Sequence, residues 1–442
     1  MSGKQYRGAE AFGEIEEFLY ALRNAGSKYS LGRIEKFVRA LGNPHLKYPS
    51  VHVAGTNGKG SVCAMCEAVF RGAGLRTGMF TSPHLVYLGE RVQIDRRPID
   101  RGELAQRVLR LRELADGVFD SSDMRSYPSF FEFMTALAFD YFAEKSVDVG
   151  VFEVGLGGRL DSTNILRPDV CAITSIGLDH TELLGNSLES VAGEKAGILK
   201  PGVPAVCGFL PEAAMRVVEA RAREVSAPLY RAEDFFPSEA DLPRASLSGV
   251  FQRRNAAVAL LIARVLRETS GRKIFARLDE DSARAALAGV SWPARWESVG
   301  LPNGARLILD SSHNAEGARA LEENLSALCA GGLRPVIALG VLGRERAVPL
   351  LEVAAKYAKQ LVFFVPNQPR ALSFEELESC MPARAEGVAV SRSSVEDFYA
   401  RGGYAKLVGP GDTVVSTGSI YLAGEVLAAL GGVRADSLQD RP

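Results

Sequence analysis

"VHVAGTNGKGSVCAM", residues 51–65, is a short apolar run that breaks into a glycine-rich loop and continues as a helical pattern. The common nucleotide-binding loop reads G-x-x-x-x-G-K-[ST]. Here Gly55 and Gly58 enclose only Thr56 and Asn57, and Gly60 separates Lys59 from Ser61. The physics is the same in the shortened version. Glycines let the backbone fold tightly and turn N–H groups towards an anion, at a helix N-terminus whose dipole favours negative charge. Lys59 adds a cation for β/γ-phosphate, and the Ser61 hydroxyl can assist phosphate or metal. The strand–loop–helix context favours phosphate binding over a plain glycine turn.

Working outward, the chain of 442 residues exceeds one ordinary core, so two to three domains are expected. Apolar residues make up 47% and charged residues 24%, an ordinary globular composition. The formal charge of -1 gives no nucleic-acid surface, so an anionic substrate must be held by a local site. No apolar run reaches the roughly 18–20 residues that span a bilayer. The N-terminal stretch is polar with several acids and resembles neither a signal nor a transit peptide. Six cysteines are few for this length and suit a reducing cytoplasm. Cys63 and Cys66 form a C-x-x-C, but without a second pair they read as residues of the helix after the loop, one facing the core.

Apolar strands alternate with helical stretches, the pattern of a parallel sheet covered by helices. "SVHVAG", "VDVGVFEVG" and "DVCAITSIG" read as strands; "FFEFMTALAFDYFAEK" and "RNAAVALLIARVLRE" read as helices. "SLESVAGEKAGILK" reads as a helix from Ser187 to just before Pro201. The alternation pauses at Pro293, Pro302 and Gly304, then restarts with "RLILD", "PVIALGVLG" and "KQLVFFVP". A boundary near 293–300 between a larger and a smaller α/β unit follows. In open α/β sheets, ligands sit beyond the carboxyl ends of the strands. The expected strand ends carry the 55–61 loop, Glu153, Asp179 with His180, and Asp310.

Each has a bland reading. Glu153, costly if unpaired at the end of an apolar strand, could pair with Arg159 or help bind Mg²⁺. His180 could be an ordinary surface histidine. Lys195 lies among apolar helical neighbours and could be satisfied by Glu194 or Asp179. Asp310 and His313 could cap the next helix.

Together these stretches resemble the Mur ligase family of ATP-dependent amide ligases, and within it the dihydrofolate synthase/folylpolyglutamate synthase group. The likeness rests on "AGTNGKGS", "TSPHLVYLGERVQID", "FFEFMTALAF", "EVGLGGRLDSTN", "LDHTELLGNSLESVAGEKAGILK" and "GSIYLAGE", in that order over nearly the whole chain. The resemblance implies two α/β domains: residues 1–295 as an ATP-binding P-loop-type domain with a mostly parallel sheet, and 296–442 as a smaller Rossmann-like domain. It implies that Thr56, Asn57, Gly58, Lys59, Gly60 and Ser61 hold the ATP phosphates, with Asn255, Arg295, Asp310 and His313 as further nucleotide contacts. Ser82, Glu153 and His180 match the Mg²⁺ ligands, and Lys195 matches a lysine carried as a carbamate. Ser129, Leu160, Asp161 and Ser162 fall where the family binds a pterin substrate.

The implied chemistry joins L-glutamate to dihydropteroate, to the glutamyl tail of reduced folates, or to both, through an acyl phosphate. The alternatives are a Mur-type ligase acting on a UDP-muramyl substrate, and a P-loop ATPase or kinase. A cytoplasmic monomer is expected. Several positions depart from the pattern: Phe251 stands for a usual histidine, Ala294 for a glycine, and "DSSHN" for D-G-A-H-N. In "GVLGRERAV" the common Asp-Lys-Asp cluster is replaced by Arg344, Glu345 and Arg346.

Overall fold

Strand β1 (Ser50–Ala54), which feeds the phosphate loop, is buried along its whole length. A strand covered on both faces needs no polar alternation. In the computed structural model, which describes residues 9–24, 30–383 and 387–433, β1 lies between two parallel neighbours. The other strands of its sheet are β2 (Thr77–Phe80), β3 (Val92–Ile94), β4 (Arg97–Pro98), β5 (Val149–Glu153), β6 (Val170–Ile173), β7 (Ala205–Cys207) and β8 (Leu229–Arg231). Their order is β4-β3-β2-β5-β1-β6-β7-β8. All pairs are parallel except those that attach β3 and β4 at one edge.

Adjacent residues of β5 show how the layers are built. Val151 packs into a core with the Lys59–Gly72 and Val250–Thr269 helices, and Phe152 packs into one with the Phe130–Glu144 helix. The pleat sends neighbours to opposite faces, so one strand serves both layers. Phe133, Phe139 and Phe142 of that second helix are fully buried, and each contributes roughly 1.5–3 kcal/mol by leaving water. Ser129 starts this helix through a capping box with Glu132.

A second sheet follows: β9 (Arg295–Gly300), β10 (Arg306–Asp310), β11 (Val336–Leu339), β12 (Gln360–Phe363), β13 (Ala389–Arg392) and β14 (Thr413–Thr417). Its order is β13-β12-β11-β14-β10-β9, parallel but for the edge strand β9. The molecule is thus two α/β units with mostly parallel sheets. The antiparallel edge of the first sheet was not visible in the periodicity, since the three- and two-residue strands β3 and β4 carry too little pattern.

Two local expectations need correction. The helix expected to run to Pro201 spans only Leu188–Ala196, with Gly197 as its C-cap. Gly197 keeps a right-handed backbone, φ -59°, and glycine there lets the chain pass Arg159, which an added Cβ would strike. Cys63 and Cys66 are both fully buried, where one had been expected to face the core.

Candidate active site

The phosphate loop is held from three sides. The Thr56 hydroxyl donates to the Gly177 carbonyl and accepts from the Gly177 N–H, both at 3.0 Å. Asn57 N–H donates to Ser175 Oγ at 3.0 Å. Gly58 takes φ +83°, and a Cβ there would collide with the Asn255 amide of the Val250–Thr269 helix. Glycine is required at this point on both counts. Lys59 Nζ curls back to the carbonyls of Gly55 and Thr56, at 3.0 and 3.1 Å. Ser61 is buried in the first turn of the helix.

Strand ends from both sheets meet around this loop. One cleft is lined by the loop, Ser82, Glu153, His180, Lys195 and Asn255 of the first unit. Arg295, Asp310, His313, Glu316 and Arg346 line it from the second. The carboxyl-end rule for α/β sheets accounts for this convergence.

Glu153 closes β5 and is 5% exposed. Its partner is not Arg159, which pairs with Glu194 at 2.8 Å. Instead Glu153 Oε2 accepts the Ser82 N–H at 3.1 Å. Burial pushes its carboxyl above the usual range, against the pull of nearby Lys59. Across the cleft, Arg295 on β9 lies opposite Asp310 on β10. Burial lowers the Arg295 guanidinium, while Asp310 and Glu153 favour its charge. Asp310 does not cap the following helix. It accepts from the Ser312 N–H at 2.9 Å, and Asn314 provides the cap.

Lys195 is 4% exposed and reaches neither Glu194 nor Asp179 by hydrogen bond. Its Nζ donates to the Gly55 carbonyl at 2.9 Å. Burial first, then the neighbouring Lys59 cation, bring the amine down to about 7. A large part of it is therefore uncharged, and nucleophilic, near neutral pH.

His180 is a non-glycine residue at φ +50°, set at the start of a short helical turn. Its Nδ1 is buried without a hydrogen-bond partner. Burial pushes its imidazole down to about 4. Before it, Asp179 receives Asn314 Nδ2 at 2.9 Å and Arg346 Nη2 at 2.6 Å, with His313 Nε2 at 3.6 Å. Burial alone would raise Asp179, but His313 and then Arg346 hold it well below the usual carboxylate range.

Ser129, Leu160, Asp161 and Ser162 do not line this cleft, though Asp161 holds two residues that do, Gly155 and Leu156. Asp161 is buried and saturated. It accepts from Gly155 N, Leu156 N and Thr163 N, each at 3.0 Å, and from Thr163 Oγ1 at 2.5 Å. It thereby fixes the loop that follows Glu153 at the end of β5. The "TSPHLVYLGERVQID" segment is stapled likewise: Glu90 accepts the N–H groups of Leu85, Val86 and Tyr87. Behind it, fully buried Arg91 donates to His84 Nδ1 at 2.9 Å and stacks over Phe130.

Sequence reading missed Glu316 and Arg346 as cleft residues, and Asn314 as a contact between the two units. Glu316 accepts Asn57 Nδ2 at 2.7 Å, a contact between the two units. For Arg346 one signal existed: a cation in the first turn of a helix opposes the dipole, so a reason for it must lie elsewhere.

Among the described residues no group of three or more His, Cys, Asp or Glu could hold a metal ion alone, and no helix is long and apolar enough to cross a membrane. Residues 53–207 match the Mur ligase middle domain, and residues 294–420 match the Mur ligase glutamate ligase domain. The chain is 32% identical to the Bacillus subtilis dihydrofolate synthase/folylpolyglutamate synthase, over 94% of this chain and 98% of that one. It is 32% identical to the folylpolyglutamate synthase of Lacticaseibacillus casei, over 86% and 90%. The structure superposes on Mycobacterium tuberculosis folylpolyglutamate synthase complexed with ADP with a TM-score of 0.82, at 30% identity over 96% and 98% of the two chains. It superposes on E. coli FolC in complex with DHPP and ADP with a TM-score of 0.78, at 28% identity over 95% and 98%.

Proposed function

The chain belongs to the Mur ligase family, in its dihydrofolate synthase/folylpolyglutamate synthase group, and from that premise we propose that this ATP-dependent amide ligase joins L-glutamate to dihydropteroate, to the glutamyl tail of reduced folates, or to both. One observation carries the reading. The phosphate loop with Lys59 faces Arg295, Asp310 and His313 of the second domain across a single cleft. That arrangement suits a reaction in which a phosphoryl group and an amine must meet away from water.

The acceptor carboxylate attacks the γ-phosphate of ATP, giving an acyl phosphate and ADP. Lys59, freed from its two loop carbonyls, neutralises charge on the transferring group, where preorganised cations act most strongly. The glutamate amine then attacks the acyl carbon and phosphate leaves. Closure of the second domain excludes the water that would hydrolyse the intermediate. Thr56, Asn57, Gly58, Gly60 and Ser61 cradle the phosphates, with Asn255, Arg295, Asp310 and His313 as the further nucleotide contacts.

Ser82, Glu153 and His180 fit a magnesium ion. Glu153 is a buried hard oxygen donor with few protein partners, and His180 keeps an unused, neutral Nδ1. Magnesium takes few protein ligands and fills its sphere with water and nucleotide phosphates. When bound it supplies Lewis-acid polarisation of the transferred phosphoryl group. Lys195 fits the carbamate: its amine is partly neutral, as reaction with CO₂ requires, and the resulting anion would sit beside the Lys59 cation that disfavours the ammonium form. Ser129, Leu160, Asp161 and Ser162 are assigned to the pterin end, with Asp161 acting through the loop it holds. The enzyme is placed in the cytoplasm as a monomer, a setting in keeping with its free cysteines.

The test is glutamate-dependent ADP release with Mg²⁺ and ATP, comparing 7,8-dihydropteroate with a reduced folate. Turnover with both assigns both activities, and turnover with one assigns that one alone. Turnover only with a UDP-muramyl acceptor moves the substrate to cell-wall chemistry. ADP release that ignores every acceptor, or full ligation by Lys59→Ala, overturns the reading.

A further inference from the structure

Arg346 lies in the first turn of the Arg344–Tyr357 helix. Its neighbour Arg344 serves its own domain, donating to Ser379 Oγ at 3.0 Å. Arg346 does not. Among the described residues its one side-chain hydrogen bond leaves the second domain and ends on Asp179 Oδ1 of the first, at 2.6 Å. Both side chains are nearly withdrawn from water, at 12% and 11% exposure. A pair so placed is screened little by salt, and losing one partner strands the other.

Asp179 is where second-domain groups gather. Besides Arg346 it receives Asn314 Nδ2 at 2.9 Å. Through the same oxygen that Arg346 holds, it also fixes the His180 N–H at 2.9 Å. The guanidinium therefore grips the domain interface and the backbone of the residue assigned to the metal at the same point. A second tie, Asn57 to Glu316, lies beside it at the phosphate loop.

We infer that the Arg346–Asp179 pair is a clasp that shuts the second domain over the phosphate loop, making Arg346 a positioning residue that protects the acyl phosphate from water. What the closed cleft protects rests on the ligase reading above; that the pair closes it does not. An open cleft still binds and cleaves ATP, but water competes with glutamate for the intermediate.

The test uses the full chain, with Arg346→Ala, Arg346→Lys, Asp179→Asn and the Arg346→Ala/Asp179→Asn double variant. Amide formed per ADP released is measured for each, alongside hydrogen–deuterium exchange over 177–184 and 312–318 with a non-hydrolysable ATP analogue present. Arg346→Ala is expected to lower the amide-to-ADP ratio by about thirtyfold or more and to speed exchange in both segments, the size expected when one partner of a buried charge pair is truncated. Arg346→Lys should restore part of both. In the Asp179→Asn background, Arg346→Ala should add little, because coupled partners are not additive. Unchanged ratio and exchange in Arg346→Ala, or effects fully additive with Asp179→Asn, would overturn the clasp. If the wild type forms no amide with any acceptor, the ligase reading fails, and the exchange measurements still decide whether the pair closes the cleft.

Discussion

Lys195 offers a test in which the sign and size of an effect both follow from burial. Its amine is brought from an ordinary 10.5 to about 7 in the folded protein. At about 1.36 kcal/mol per pH unit, that difference corresponds to a folding penalty of roughly 4–5 kcal/mol whenever both states are protonated. The direction is fixed by proton binding. Between about 7 and 10.5 the unfolded chain holds a proton that the folded chain has released, so stability rises with pH. Below that window the full penalty applies; above it the penalty vanishes. Lys195→Met keeps length and apolar volume and removes the titration. The stability of wild type minus that of the variant should therefore climb by about 1.4 kcal/mol per unit through the window.

The assay is urea unfolding in CO₂-free buffer at several pH values, followed by Trp292, which packs against the first-domain core. A Trp296→Phe background in both proteins keeps the signal to that domain. Taking the difference cancels thiols and phenols that titrate in the same range. Added bicarbonate should then stabilise the wild type alone, since a carbamate consumes the neutral amine and behaves as a ligand of the folded state. A wild-type-minus-variant difference that stays flat with pH would refute the burial argument. A flat response to bicarbonate would refute the carbamate while leaving the burial argument intact.

Two further outcomes are expected. Asp161→Asn should cost about 2–4 kcal/mol despite its matching shape, because its amide turns a donor towards backbone N–H groups that now face an oxygen; a urea midpoint unchanged from wild type would show that the loop does not depend on that carboxylate. Gly58→Ala forces a side chain into a left-handed backbone at φ +83° and against Asn255, and affinity for an ATP analogue should fall at least about tenfold by calorimetry, from strain of roughly 1–2 kcal/mol before Asn255 is displaced; unaltered affinity would mean the loop can adopt another shape.

The alternating α/β architecture was legible before any coordinates, since long apolar strands and amphipathic helices announce themselves through local periodicity. So was the phosphate loop, whose glycines, lysine and helix start are contiguous and need no partner to be recognised. Glu153, His180 and Asp310 could be picked out because strand ends in such sheets face the ligand. Their partners could not. Arg159 was a plausible mate for Glu153 and turned to Glu194 instead, while Lys195 bypassed two acids for a backbone carbonyl. Ion pairing is settled by three-dimensional approach over a few ångströms, and sequence neighbours are poor guides to it. Only the tertiary structure brought Arg346 to Asp179, Glu316 to Asn57 and Asn255 to Gly58, across separations of 167, 259 and 197 positions. The reason is physical: secondary structure is written in local patterns, whereas a cleft between two domains consists of contacts with no local signature at all.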